Sequence, residues 1–175
     1  ELVSGFKQVA MDRTSAQRRS FKLLEFLNDT YLTLTPTFRR TTIKVCIECS
    51  EDIELNSYPG PLGQVITNLL NNTLIHAFEP DASGLVFIRA HVDNDQVSIR
   101  VSDNGMGIAP DHLGKIFDPF FTTKLGKGGN GLGMHIVHNI VSGLLGGSIS
   151  VQSTLGEGTC FTVLLPLTAP VTHTE

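Results

Sequence analysis

The chain has 175 residues, which is enough for one domain with a buried core and one further element. Hydrophobic residues make up 41% of it and charged residues 17%, the proportions of a globular protein, and no apolar run approaches the roughly 20 residues of a membrane span. The formal net charge of −4 gives no reason to expect nucleic-acid binding, which usually needs clustered basic residues.

The N-terminal segment, residues 1–19, is polar and compatible with a helix. Charged residues such as Lys7 and Asp12 interrupt it, so it does not have the apolar core of a signal peptide. Because the chain begins at Glu1 rather than at methionine, we expect it to be part of a longer parent protein, which could carry a membrane anchor elsewhere. For this part of the parent we expect a cytoplasmic location.

A better amphipathic helix is predicted directly after Ser20, which is a suitable N-cap. Its apolar residues recur along one face, and the helix is expected to end near Pro36, because proline is usually found outside a helix interior. The stripe that predicts this helix consists of Phe21, Leu24, Leu27 and Tyr31.

Residues 43–49 alternate between apolar and polar side chains, which predicts a strand. The strand contains Cys46 and Cys49, whose spacing is typical of metal and redox sites. Residues three apart on a strand face opposite sides, so these two side chains cannot converge on one metal ion. Together with the odd total of three cysteines, this favours a structural role in a reducing compartment.

The remaining elements follow from periodicity and turn residues. A turn over 56–61 leads into a long helix over about 59–77, and a second helix over about 133–144 follows a glycine-rich polar stretch. The predicted strands of the C-terminal half are 85–92, 96–103, 148–153 and 159–165. This order predicts an α+β fold, a two-layer sandwich in which helices cover one face of a mixed sheet.

The long predicted helix carries a line of polar side chains. Gln64, Asn68, Asn72 and His76 recur every four residues and therefore share one face. Amides are poor helix formers, so such a line has a cost unless it binds a ligand, and amide oxygens suit Mg²⁺. The alternative is a solvated polar face, where Lys or Glu would be more usual.

The strand over 96–103 delivers a carboxylate to the mouth of a pocket. Asp103 shares a face with the alternate apolar residues of this strand, which would face the core. Gly105 and Gly107 follow at once, so the backbone can approach a flat ligand closely. The alternative is a plain turn, for which Asp-Asn-Gly is also suitable.

A third motif precedes the predicted helix at Gly133. The segment 126–133 is mostly glycine, so its backbone N–H groups are free to bind an anion at a helix N-terminus, next to Lys124 and Lys127. It lacks the GKS or GKT of a P-loop. A flexible linker is the alternative, but a helix that follows directly disfavours it.

Together, these motifs and their order resemble the histidine-kinase branch of the ATPase superfamily that includes gyrase, the Hsp90 chaperones and the MutL repair proteins. The resemblance covers residues 59–166 and is carried by five motifs. Asn68–His76 is similar to the asparagine box and Phe117–Phe121 to the phenylalanine box. Asp103–Ile108, Gly129–Gly133 and Gly156–Phe161 are similar to the first, second and third glycine boxes.

The resemblance implies that ATP and Mg²⁺ are the cofactors. Asp103 would accept a hydrogen bond from the adenine amino group, with Thr159 helping through a water molecule, while Asn72 would bind Mg²⁺ and residues 121–131 would form a mobile lid. The implied catalytic residues are Asn68 and Lys124. The implied nucleotide-binding residues are Asn68, Asn72, His76, Asp103, Gly105, Gly107, Ile108, Phe120, Thr122, Thr123, Lys124, Lys127, Gly131, Leu132, Gly133, Met134 and Thr159.

The resemblance also implies phosphoryl transfer rather than hydrolysis. Superfamily ATPases have a glutamate base where this chain has Asn68, and without a carboxylate there water is not activated. Many histidine kinases have lysine where this chain has Ile75, so Lys124, Lys127 or His76 would have to supply the charge. The second glycine box has Asn130 where threonine is common, a small change that should be tolerated.

None of the six histidines is followed by Glu or Asp, as the acceptor histidine of the family typically is. We therefore expect residues 1–19 to be the truncated end of a dimerisation helix, residues 20–166 the catalytic domain and residues 167–175 a flexible tail. The expected partners are the absent dimerisation and phosphoacceptor domain of a homodimeric parent and a response regulator. A serine kinase of the anti-sigma-factor type and a degenerate nucleotide-sensing module are the alternatives.

Overall fold

The computed structural model describes residues 17–125, 129 and 131–171. The predicted dimerisation helix therefore falls outside the described residues except for residues 17–19, and so does Lys127. The described strands are β1 (Arg19–Lys22), β2 (Thr42–Cys49), β3 (Glu54–Ser57), β4 (Ser83–Asp93), β5 (Gln96–Asp103), β6 (Ser148–Thr154) and β7 (Gly158–Pro166). The described helices are α1 (Leu23–Phe38), α2 (Pro59–His76), α3 (Pro110–Leu113) and α4 (Gly133–Asn139), which a π-helical turn (Ile140–Leu144) continues.

Five strands form the main sheet in the order β2-β4-β5-β7-β6. The β2–β4 pair is parallel and the other three pairs are antiparallel, so the sheet is mixed, as predicted. Burial alternates along its central strands because successive side chains face opposite sides of a sheet. The inward residues of β5 and β7 are Val97, Ile99, Val101, Phe161, Val163 and Leu165, all at most 1% exposed.

The long helices α1 and α2 supply the other half of the core. Val65, Leu69 and Leu70 of α2 are fully buried, whereas Asn68 and Asn72 are only partly buried, so the predicted division of this helix into a core face and a polar face is confirmed. The α+β fold with helices over the sheet is likewise confirmed. In the described part of the chain no helix is both long enough and apolar enough to cross a membrane.

The start of α1 differs from the prediction. Ser20 is not an N-cap but lies in β1, opposite Asn56 of β3, and the helix begins at Leu23. The strand β3 takes up part of the predicted turn over 56–61. Pro36 lies inside α1, whose last turn is closed by a 2.9 Å hydrogen bond from the Arg39 N–H to the carbonyl of Thr35. The local pattern missed the late start of α1 because β1 forms only through its distant partner β3.

The chain after β7 also differs from the prediction of a flexible tail over residues 167–175. The Asn56 N–H donates to the Leu167 carbonyl and the Ala169 N–H donates to the Asn56 carbonyl, both at 2.8 Å. The Tyr58 hydroxyl donates to the Pro170 carbonyl at 3.0 Å, and Ala169 is 1% exposed. Residues 167–170 are thus held beside β3, while 172–175 lie outside the described residues.

The two cysteines of the CxxC pattern lie on opposite faces of β2, as predicted. Cys46 is exposed and Cys49 is partly buried, and both are free thiols, as is Cys160 on β7. Since the side chains of residues three apart on a strand diverge, they do not form a joint binding site.

Candidate functional site

Two neighbouring cavities lie between α2, the ends of the central strands and the start of α4. The first has a volume of about 250 Å³ and reaches Asp103 at the end of β5. The second, about 380 Å³, follows the polar face of α2 toward Gly133. They form one cleft, because both are lined by Asn72, His76, Phe121, Thr122 and Met134.

Asp103, at the end of β5, lines the first cavity. Because it continues the inward-facing side of β5, its side chain is partly buried. Its Oδ1 accepts a 2.9 Å hydrogen bond from the Gly105 N–H, and Thr159 of β7 lies directly opposite. Burial raises the pKa of this carboxyl, while the backbone N–H groups of Gly105 and Thr159 oppose the rise. The carboxylate is therefore fixed in place as a hydrogen-bond acceptor facing the cavity.

The loop after Asp103 is clamped from two sides. The Met106 N–H donates to the carbonyl of Ala77 at the end of α2 at 2.8 Å, and the Gly156 N–H of the β6–β7 turn donates to the Met106 carbonyl at 2.7 Å. Gly107 has φ +73°, and a Cβ at this position would collide with the Thr154 carbonyl oxygen. The loop can therefore run close to the hairpin only because this position is glycine.

Ser153 of β6 connects the loop after Asp103 to the start of β7, which carries Thr159. Its Oγ accepts a 2.8 Å hydrogen bond from the Ile108 N–H and donates to the Gly158 carbonyl at 2.9 Å. The same oxygen lies 2.9 Å from Thr159 Oγ1. Ser153 was not predicted as a site residue, although the alternation along β6 places it on the inward face with Ile149 and Val151, unlike Ser148 and Ser150.

The second cavity is built from amides and the start of α4. Asn68 Nδ2 donates a long hydrogen bond, 3.4 Å, to the Gly133 carbonyl, which leaves the Oδ1 of Asn68 available as an acceptor or ligand. Asn72, one turn further along α2, is partly buried and lines both cavities. The polar face of α2 is therefore directed at a cavity rather than only at bulk water.

His76 and the segment after Phe121 close the cleft from the side. The Thr123 hydroxyl lies 3.4 Å from His76 Nδ1, and the Lys124 N–H donates to Thr122 Oγ1 at 3.1 Å. Burial lowers the pKa of His76, and the positive charge of Lys124 lowers it further. His76 is thus neutral near pH 7, and Lys124 is the cation that lines the first cavity within the described residues.

The two adjacent phenylalanines have different positions. Phe120 is 72% exposed, has φ +66° and lines neither cavity, whereas Phe121 lines both. Gly131, with φ +74°, approaches the Phe120 backbone so closely that a Cβ would collide with its carbonyl carbon. The sequence analysis named Phe120, because the motif alone does not tell which of the two rings turns inward.

The cleft brings most of the sequence-predicted residues together. Those that line the first cavity are Asn72, His76, Asp103, Gly107, Ile108, Thr122, Thr123, Lys124, Met134 and Thr159. Those that the second cavity adds are Asn68, Gly131, Leu132 and Gly133. Gly105 lines neither cavity but holds Asp103 through its N–H, and Lys127 lies outside the described residues.

The sequence analysis missed most of the apolar wall. The wall residues that were not predicted to bind the nucleotide include Ala77, Met106, Ile116, Leu155 and Phe161. The alternation along β7 predicts an inward side chain at Phe161, so this residue could have been found. The others come from loops and element ends, where periodicity gives no signal.

The cleft offers few protein ligands for a divalent cation. Among the described residues, no group of three or more His, Cys, Asp or Glu side chains could hold a metal ion. Mg²⁺ that accompanies a nucleotide usually takes only one or two protein oxygens and is otherwise bound by phosphates and water. The amide oxygens of Asn68 and Asn72 in the second cavity fit that requirement.

Residues 58–169 match the protein family described as histidine kinase-, DNA gyrase B- and HSP90-like ATPase. The sensor histidine kinase RcsC of Escherichia coli strain K12 is 34% identical over 168 residues, which is 93% of this chain and 17% of RcsC. The sensor histidine kinase ZraS of Salmonella typhimurium is 45% identical over 112 residues, 63% of this chain and 23% of ZraS. The chain thus spans less than a quarter of each of these relatives.

The fold is similar to that of a solved histidine kinase catalytic domain. The catalytic domain of ThkA superposes with a TM-score of 0.76 at 29% identity, over 87% of this chain and 97% of that domain. ThkA in complex with the response regulator TrrA has a TM-score of 0.72 at 24% identity, over 94% of this chain and 48% of that one.

Proposed function

We propose that this chain, which belongs to the family of histidine kinase-, DNA gyrase B- and HSP90-like ATPases, is the ATP-binding catalytic domain of a sensor histidine kinase. It would transfer the γ-phosphate of ATP to a histidine on the dimerisation domain of its parent protein. The observation that carries the proposal is the single cleft in which a fixed Asp103 carboxylate lines the first cavity, Asn68 lines the second and Asn72 lines both.

In this proposal the adenine occupies the first cavity and the phosphates occupy the second. The 6-amino group donates to Asp103, while the apolar wall that includes Ile108 and Phe161 packs against the ring. The phosphates lie near Asn68 and the backbone from Leu132 to Met134.

The residues of the second cavity would hold Mg²⁺ together with the phosphates. When bound, the ion neutralises charge on the phosphate oxygens during transfer. Asn72 is the proposed protein ligand, and the Oδ1 of Asn68 is free to bind a phosphate-associated water or the ion. Lys124, which lines the first cavity, or Lys127 supplies the positive charge that many histidine kinases have where this chain has Ile75, because His76 is neutral near pH 7.

Transfer rather than hydrolysis follows from the chemistry of α2. A water nucleophile needs a base, and an amide such as Asn68 does not accept a proton near neutral pH. The nucleophile is then a histidine of the parent's dimerisation domain, presented to the γ-phosphate at the open side of the second cavity. A response regulator receives the phosphoryl group from that histidine, and the whole parent acts as a homodimer in the cytoplasm.

The test uses purified chain with Mg²⁺ and γ-labelled ATP. Alone, the chain should not label itself, whereas adding the parent's helical acceptor segment should give label on that segment. A histidine phosphate is lost in acid and a serine phosphate is kept, so acid treatment separates this function from that of a serine kinase. Strong labelling of a histidine within these 175 residues would contradict the proposal.

A further inference from the structure

The hydroxyl groups next to Asp103 form a small network with few possible proton arrangements. Ser153 Oγ has three neighbours, namely the Ile108 N–H at 2.8 Å, the Gly158 carbonyl at 2.9 Å and Thr159 Oγ1 at 2.9 Å. Thr159 is 7% exposed and lines the first cavity. The direction of the Thr159 hydroxyl is therefore set by protein groups rather than by bulk water.

Only one arrangement of the hydroxyl protons gives every donor of this network a protein acceptor. A serine hydroxyl has one proton to donate and two lone pairs. If Ser153 donates to the Gly158 carbonyl, its lone pairs accept from the Ile108 N–H and from the Thr159 hydroxyl, and every donor has a protein acceptor. If Ser153 instead donates to Thr159, the Gly158 carbonyl loses this donor, and the Thr159 hydroxyl has no other hydrogen-bond contact among the described residues. Buried donors are almost always paired, which favours the first arrangement.

This arrangement determines which hydrogen bonds the Thr159 hydroxyl can make with a ligand in the first cavity. Once the Thr159 hydroxyl donates to Ser153, its oxygen can only accept hydrogen bonds from a ligand or from a bridging water. The adjacent Asp103 carboxylate also only accepts when it is ionised. This end of the cavity therefore presents acceptors from both side chains, which suits a 6-amino purine and disfavours a 6-oxo purine.

We infer that Ser153 is a specificity-determining positioning residue, which selects adenine over 6-oxo purines by fixing the Thr159 hydroxyl as an acceptor. The inference rests on the proposed nucleotide function and adds a residue that acts through Thr159 rather than by touching the base. Without Ser153 the Thr159 hydroxyl can turn and donate to the carbonyl of a 6-oxo purine, so the preference for adenine weakens.

The experiment measures the dissociation constants of ADP and inosine diphosphate by calorimetry on the full 175-residue chain. Ser153→Ala should reduce the ratio of the inosine diphosphate constant to the ADP constant about two- to tenfold, the range expected for one hydrogen bond. Loss of the contact to the Ile108 N–H affects both nucleotides alike and cancels in this ratio. Ser153→Thr keeps a hydroxyl and should restore the ratio.

A second background separates positioning from a general structural effect. In Thr159→Val, which has no hydroxyl to orient, Ser153→Ala should leave the ratio unchanged. ADP binding with an unchanged ratio in the Ser153→Ala protein would overturn this inference alone. An equal fall in the Thr159→Val background would also overturn it. A wild-type chain that does not bind ADP would overturn the proposed function, and this inference with it.

Discussion

The two ends of the cleft are built differently. The side-chain contacts of Asp103 and Ser153 are short, 2.8 or 2.9 Å, and they join strands β5, β6 and β7 to the loop that follows β5. Around Asn68 and His76 the side-chain contacts are 3.4 Å long and join a helix to a loop or to the start of another helix. The Asp103 end, where we propose that the base binds, is held by short contacts, whereas the Asn68 end, proposed for the phosphates, has donors and acceptors left for a ligand.

Because of this difference, one end of the cleft should control nucleotide affinity and the other should control the rate of phosphoryl transfer. A preformed acceptor near the base costs little to organise during binding, so it should dominate nucleotide affinity. Some groups engage the phosphates fully only in the transition state, when Mg²⁺ is also bound. These groups should dominate the rate of phosphoryl transfer. Substitutions at the two ends are therefore expected to affect different measurements, and Asn72→Ala and Asp103→Asn test this.

The largest effect is expected for Asn72→Ala at the phosphate end. Loss of the proposed Mg²⁺ ligand should lower phosphoryl transfer to the acceptor segment about a hundredfold or more, since a catalytic metal supplies several kcal/mol of stabilisation in the transition state. ADP affinity without Mg²⁺ should change little. Asn28→Ala, an exposed asparagine on α1, is the matched control. Transfer at the wild-type rate in the Asn72→Ala protein would remove Asn72 from the metal site.

At the base end, Asp103→Asn should weaken ADP binding about ten- to hundredfold, because a charged hydrogen bond in a buried position is worth roughly 1.5–3 kcal/mol. The change keeps the side-chain shape but places a donor against the adenine amino group. Asp93→Asn, at the exposed end of β4, serves as the control in the same calorimetric titration. Equal ADP affinity in the Asp103→Asn and control proteins would contradict the assignment of the base.

A smaller contrast is expected between nucleotides in hydrogen exchange over residues 121–131. A γ-phosphate can pair with Lys124 and with backbone N–H groups of this segment, and ADP does not reach as far. An ATP analogue with Mg²⁺ should therefore slow exchange there clearly more than ADP does, while the strands β5 and β7 exchange slowly in both states. Equal protection with both nucleotides and with none would show that the segment does not respond to the γ-phosphate.

The smallest effect concerns the pH dependence of stability. The folded protein disfavours protonated His76, since its pKa lies below the ordinary 6.5. Between the lowered pKa and 6.5 the unfolded chain binds more protons, so the free energy of unfolding falls as the pH drops through this window. His76→Asn should reduce that fall, and His91→Asn, an exposed histidine on β4, should not. The free energy of unfolding is measured by urea denaturation at about pH 7.5 and about pH 5.5. An equal fall in this free energy in both variants would argue against a buried, neutral His76.

Much of the cleft could be predicted from local sequence patterns. The four-residue spacing on α2 placed Asn68, Asn72 and His76 on one face, and the two-residue spacing on β5 placed Asp103 inward. Both periodicities are properties of a single element, so no knowledge of distant contacts was needed. The choice between Phe120 and Phe121 was different, because it depends on a left-handed backbone at Phe120 packed against Gly131.

The sequence by itself determined the order of the main elements, their inward faces and the chemical types that meet at the cleft, because periodicity is a local property of helices and strands. Only the tertiary structure decided which segments pair over long distances. The strand β1 exists because Ser20 lies opposite Asn56, and residues 167–170 are ordered by that same β3 strand. Ser153 acquires its role because Ile108, 45 residues earlier, donates to it. Such contacts depend on how the whole chain packs, and a linear pattern does not specify them.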